Sequence, residues 1–155
     1  MKRYKFGLLF ITIIAAVSAW AQEEDKSSLE RMIAAKQFIF HAQSASPLGG
    51  ATVQLTSPYD LRISNDSLVS HLPYFGRSFS GGYTGESGIQ FTSTSYDYKV
   101  KERKRGGWEI RLKPKDQRNV RELQLNISES GYGTLQVISD NRQAISFRGF
   151  IDQRN

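Results

Sequence analysis

Residues 108–152 read WEIRLKPKDQRNVRELQLNISESGYGTLQVISDNRQAISFRGFID, and this stretch decides the fold. Four runs suit a pleated, half-buried surface: Trp108 to Leu112, Val120 to Ser128, Tyr132 to Ser139 and Gln143 to Asp152. Between them lie short clusters of Pro, Asp, Asn, Ser and Gly, which form turns. Strands joined by connections this short are antiparallel, because parallel pairing needs a crossover of roughly a dozen residues or more.

The same pattern extends upstream. Gly106-Gly107 makes a turn behind Ser95 to Arg103, and Ile89 to Phe91 precedes that run. Further back, Val53 and Leu55 alternate with polar residues, followed by Tyr59, Leu61 and Ile63, the turn-forming Asn65-Asp66, and then Leu68, Ser70 and Leu72. These make a hairpin. The first strand begins at Gln37, with Phe38, Phe40 and Ala42 on one side and Gln37, Ile39 and His41 on the other, and Pro47-Leu48-Gly49-Gly50 ends it. Strands therefore run from about 37 to 152, about nine in all. Ahead of them, residues 23–36 predict a helix: Ser27 and Glu30 have capping-box spacing, and Leu29, Met32 and Ile33 recur at i, i+3, i+4. Met32 is expected as core filler. The expected fold is α+β, mainly β: an N-terminal helix packed on a strongly curved antiparallel β-meander or barrel of about nine strands.

The N-terminus carries an export pattern. Lys2, Arg3 and Lys5 precede the uncharged apolar run Phe6 to Val17, and Ala19-Trp20-Ala21 supplies small residues around a cleavage point. That run is shorter than the roughly 20 residues of a membrane-spanning helix. Residues 1–21 are thus expected to be a signal peptide cleaved near Ala21. Residues 22–155 then form a single β-rich domain, periplasmic or secreted, with no transmembrane segment. The formal charge of +6 falls by the three positive charges of the signal, and export argues further against nucleic acid as a partner. The chain has no cysteine. Disulfides, thiol chemistry and a lipidated cysteine anchor are all excluded, so the domain relies on its core.

Leu72 to Phe91, LPYFGRSFSGGYTGESGIQF, is different in kind. Gly76, Gly81, Gly82, Gly85 and Gly88, out of 13 glycines in the chain, are interleaved with Tyr74, Phe75, Phe79 and Tyr83. Glycines allow sharp turns at an entropic cost that aromatic burial can offset, so such a segment can pack on the domain by its own rings. Alternatively some rings stay partly open and, with Arg77, form a platform for a sugar, a lipid or a partner chain. The candidate surface is Tyr74, Phe75, Arg77, Phe79 and Tyr83. Phe75, between Pro73 and Gly76, is the expected buried anchor, and Tyr83 the expected open ring.

Signals of catalysis are absent. His41 and His71 sit in no metal-ligand spacing and read as ordinary strand residues. Glu86 and Asp97 flank Phe91 as an acid and base pair would, but Glu86 falls in a Gly-rich tip where carboxylates are solvated. No catalytic residue, metal ligand or cofactor is assigned. Lys99, Lys101, Arg103, Lys104 and Arg105 cluster at one hairpin, where they could touch anionic lipid, or simply guard a strand edge. The sequons Asn65-Asp66-Ser67 and Asn126-Ile127-Ser128 are assigned no role.

Four segments carry a resemblance. The run LPYFGRSF at 72–79, Ser87-Gly88-Ile89-Gln90-Phe91, Gly107-Trp108-Glu109-Ile110, and Asn141-Arg142-Gln143-Ala144-Ile145-Ser146-Phe147 resemble a secreted bacterial family catalogued as domain of unknown function 4251. The likeness spans about Phe38 to Ile151. It implies export and a β-rich domain, and no activity, ligand or catalytic residue. Two functional readings follow. The favoured one is a non-catalytic periplasmic binding module whose interior or mouth, edged by the aromatic loop, holds an apolar or amphipathic small molecule. The other is an accessory that docks to an envelope protein through the aromatic loop or a strand edge. An internal apolar cavity of some hundreds of Å³ would mark the first, and a filled interior together with a wide exposed apolar patch the second.

Overall fold

A computed structural model describes residues 26–76 and 88–153. One helix, α1, covers residues 26–35. Nine strands follow: β1 Phe38–Pro47, β2 Val53–Ile63, β3 Leu68–Leu72, β4 Ile89–Ser93, β5 Tyr96–Glu102, β6 Trp108–Pro114, β7 Val120–Ile127, β8 Tyr132–Ser139 and β9 Ile145–Gln153. All belong to one sheet of order β4-β3-β2-β1-β9-β8-β7-β6-β5. Every pairing is antiparallel. The fold class expected from the sequence is the one observed.

Two local meanders, β1 to β4 and β5 to β9, are joined by β1 and β9, whose register runs from Phe38↔Gln153 to Pro47↔Ile145. Tracing the antiparallel pairings outward from β1 shows that β4 and β5 point the same way. Only Thr94 and Ser95 separate them. Residues 89–102 are therefore one bent strand that pairs with β3 in its first half and with β6 in its second. This shared strand curls the sheet into a nearly closed barrel. At its bend the Lys115 N–H donates to the Ser95 carbonyl at 2.8 Å, and the Thr94 N–H donates to Asp116 Oδ2 at 3.0 Å.

Alternation places one face of each strand inside, as the pleat requires. Phe38, Phe40, Leu61, Ile63, Leu68, Leu72, Ile110, Leu112, Leu123, Leu125, Ile127 and Phe147 are fully buried and belong to a single core cluster. Trp108 is also buried, at 5% exposure. At the β5–β6 turn, Gly106 and Gly107 have φ of 83° and 80°, where a side chain is strained. A Cβ on Gly107 would also lie 2.1 Å from the Ile127 carbonyl oxygen.

The segment 53–63 is one strand through Pro58. Its pairing with β1 jumps from Ala42↔Tyr59 to Ser44↔Gln54, so residues 55–58 bulge out of register. Pro58, without an N–H, is accommodated there.

Helix α1 closes one end of the barrel. Leu29 and Ile33 enter the core, Met32 packs partly buried against it, and Lys26 pairs with Glu129 at 2.8 Å. Lys26 is already helical, so Ser27 lies inside the helix; its carbonyl accepts from Arg31 Nε. The capping-box spacing thus does not mark the start of α1, and residues 23–25 lie outside the described ones. The C-terminus is built from the backbone: the Gln37 N–H donates to the Met32 carbonyl at 3.1 Å and the Lys36 N–H to the Ile33 carbonyl at 3.2 Å, with Lys36 at φ 53°. That is a Schellman motif carrying lysine where glycine is usual.

Candidate functional site

The opposite end of the barrel gathers the ends of β3 and β8, the starts of β4, β7 and β9, and the 115–119 connection. Leu72 is buried, and the chain leaves it through Pro73. Tyr74 turns inward, its hydroxyl donating to the Gln143 carbonyl at 3.1 Å. The Arg142 guanidinium lies 5.1 Å from the centroid of that ring and donates through Nη1 to the Gly88 carbonyl at 2.7 Å. Partial burial raises the Tyr74 phenol, against the opposing effects of the Gln143 hydrogen bond and Arg142.

Phe75 is 46% exposed. It is not the buried anchor that its neighbours Pro73 and Gly76 suggested. Two residues beyond the inward-facing Leu72, the inward place falls to Tyr74, whose hydroxyl reaches a backbone carbonyl as well. A Cβ on Gly76 would lie 2.5 Å from the Tyr74 oxygen, so the ring lies against the backbone there. Of the expected surface, Tyr74 and Phe75 are thereby placed. Arg77, Phe79 and Tyr83 lie outside the described residues, as does Glu86.

Beside this corner a cleft of about 340 Å³ runs along β4. One wall is Gly88 to Phe91 and the other is Asp116 to Val120. Gln117 reaches across, its Nε2 donating to the Thr92 carbonyl at 2.9 Å. Asp116 accepts from the Thr94 N–H, and its carboxyl is held below the usual carboxylate range, first by the Ser93 hydroxyl and then by that N–H. Sequence reasoning passed over this wall as a plain connection, because its counterpart in space is far away in the chain.

The remaining candidates stay apart. Asp97 is ion-paired to Lys115 at 2.7 Å, which lowers its pKa through the hydrogen bond, and it faces solvent. His41 and His71 point outward on β1 and β3 and flank Asp60 in register. Their rings rest on other aromatics: His41 lies 5.3 Å from Phe150, and His71 lies 5.5 Å from Tyr59. Asp60 is taken by Arg62, which donates to Oδ2 from Nε at 3.1 Å and from Nη2 at 2.9 Å. Among the described residues no group of three His, Cys, Asp or Glu side chains is placed to hold a metal. Arg103 and Arg105 line an open cleft with Lys26 and Glu129 beside α1. No helix of the described residues is long and apolar enough to cross a membrane.

Comparison with known proteins agrees with the fold. A solved crystal structure of a DUF4251 family protein from Bacteroides eggerthii DSM 20697 superposes with a TM-score of 0.64 at 16% sequence identity, covering 86% of this chain and 88% of that one. At that identity the likeness concerns the fold alone. No curated protein matches. The model of the family described as domain of unknown function (DUF4251) matches residues 21–151, and the chain belongs to that family.

Proposed function

We propose that the protein is an exported, non-catalytic docking module that binds a protein of the cell envelope. The observation that carries this is the packed core formed by the described residues. Phe38, Phe40, Phe147 and the aliphatic residues around them occupy the space in which a barrel-type carrier would hold an apolar molecule. The clefts bounded by described residues open at the surface and are walled in large part by polar side chains. Such surfaces suit a macromolecule better than an apolar ligand. Export is supported by Lys2, Arg3 and Lys5, the apolar run from Phe6 to Val17, and Ala19-Trp20-Ala21.

The test is native mass spectrometry of the protein isolated from the periplasm of its own cells. A co-purifying polypeptide in fixed stoichiometry is the expected result. Retention of a small organic molecule instead would overturn the docking reading in favour of a carrier for an apolar or amphipathic ligand. N-terminal sequencing of the same sample should find a start at Gln22 or within a residue or two, and an intact Met1 would overturn export by cleavage.

A further inference from the structure

We propose that the free edge of β4 takes an extended, acidic polypeptide segment as an added strand, a site that rests on the docking reading above and gives it a location. The barrel's seam has two halves, and they are treated differently. Along β5 the edge is tied and charged: Tyr98 donates to the Ile33 carbonyl and Tyr96 to the Ser64 carbonyl, while the exposed Lys99 and Lys101 supply the charge that keeps strand edges from pairing. β4, with the sequence Ile-Gln-Phe-Thr-Ser, carries no charge of its own and, among the described residues, no strand covers its outer edge.

The backbone geometry fits a strand. The carbonyls of Gly88 and Thr92 accept side-chain N–H groups from the far side of the cleft, from Arg142 at 2.7 Å and Gln117 at 2.9 Å. Those carbonyls therefore point away from β3. Gln90 shares their parity, and its N–H and C=O face the side on which no strand of the described residues lies, at the floor of the cleft. The Gln117 carboxamide and the Arg142 guanidinium sit at the two ends of this edge, where the N–H groups of an incoming backbone would donate. An extended segment would pair with Gln90 and take over the Thr92 carbonyl from Gln117.

Charge selects the segment. Asp116 is engaged by Thr94 and Ser93, so its carboxylate is turned to the bend. Arg118, on the same wall, has no acidic partner among the described residues. An Asp or Glu side chain standing over the cleft would meet it.

The experiment pans a random decapeptide display library against the folded protein and, in parallel, against an unrelated β-barrel. Peptides enriched only on this protein should contain Asp or Glu and should shift backbone amide resonances of Gly88 to Thr92. Proline is tolerated in an edge strand where its N–H would face away from the sheet, so Gln90→Pro should fold and weaken binding about tenfold, one lost hydrogen bond's worth, whereas Gln90→Ala stays within about twofold. Arg118→Glu should also weaken it about tenfold. Methylating the peptide's amides along one edge should match Gln90→Pro on the unaltered protein, which decides the matter should that variant not fold. No specific enrichment, shifts confined to another face, or indifference to peptide methylation would overturn the proposal. So would concentration-dependent self-association that Gln90→Pro abolishes, because the occupant would then be a second copy of this chain. If the native partner is retained by Gln90→Pro, the docking reading stands and the β4 site falls. If only a small molecule is retained while decapeptides bind at β4, the docking reading falls and the edge site stands.

Discussion

The Tyr98 hydroxyl on β5 donates a 2.8 Å hydrogen bond to the Ile33 carbonyl in the last turn of α1, which ties the helix to the strand that closes the barrel. The same carbonyl takes the Lys36 N–H, and the Lys36 ammonium sits 5.2 Å from the centroid of the Tyr98 ring. One phenol thus holds both the end of the helix and the residue that terminates it.

Tyr98→Phe should lower stability by about 1 kcal/mol, the ordinary net worth of such a bond. Burial pushes the Tyr98 phenol well above its usual range, with the neighbouring Tyr96 adding to the effect. The folded protein therefore keeps a proton that the unfolded chain releases, so this stabilisation is complete below the ordinary tyrosine pKa and is lost as pH climbs toward the folded value. Urea melts at neutral pH and above about pH 10 should show a shallower alkaline loss in Tyr98→Phe than in the parent.

Lys36 at φ 53° is a non-glycine residue in the left-handed region. Lys36→Ala and Lys36→Gly both lose the contact with Tyr98, and only glycine relieves the backbone. Lys36→Gly should therefore melt above Lys36→Ala by about 1 kcal/mol. Equal melts would mean that the αL penalty is already relieved elsewhere in the turn.

Trp108→Ala should cost about 3 to 5 kcal/mol, because the ring is buried against the sheet. Phe75→Ala, at an exposed ring, should stay within about 0.5 kcal/mol. Thermal melts of the two variants beside the parent check both. A large loss for Phe75 would show that it packs on something in the folded protein.

Asp116 stabilises the bend between β4 and β5 as a carboxylate. Its depressed pKa means that the contribution is present above the ordinary carboxylate range and disappears as pH falls through the folded value. Asp116→Asn should flatten the acid limb of the stability profile. An acid limb identical to the parent's would assign the pH dependence to other carboxylates, Glu122 first, whose pKa is lowered by Gln124 and Lys113.

Most of the barrel was legible because its punctuation is local. Gly106-Gly107 is the left-handed turn its sequence announces, and Asn65-Asp66 sits in a turn closed by Ser64, whose N–H and hydroxyl both donate to the Ser67 carbonyl. Alternation put Phe38, Phe40, Ile110 and Leu112 inside as expected. The continuity of Val53 to Ile63 through Pro58 was hidden, because a proline within a run normally breaks it and only the bulge opposite β1 admits it. Phe75 was misplaced by arguing from its neighbours Pro73 and Gly76 when the parity carried over from Leu72 governed. The outer edge of β4 could not be read at all: among the described residues only β3 pairs with residues 89–93, and Gln117 and Arg142 reach the other side only through the closure of the whole sheet.

That closure also orders events in time. Each meander pairs residues near in sequence, whereas β1 meets β9 across nearly the whole described chain. Local contacts form fast, and loop closure delays distant ones. The β1–β9 ladder is therefore expected to zip last, and pulse-labelled hydrogen exchange should find the amides of β3 and β7 protected before those linking β1 to β9. Until then each half displays a long unpaired edge complementary to the other half, so two chains folding close together can exchange halves. The joint that completes one barrel is also the place where two molecules can become entangled.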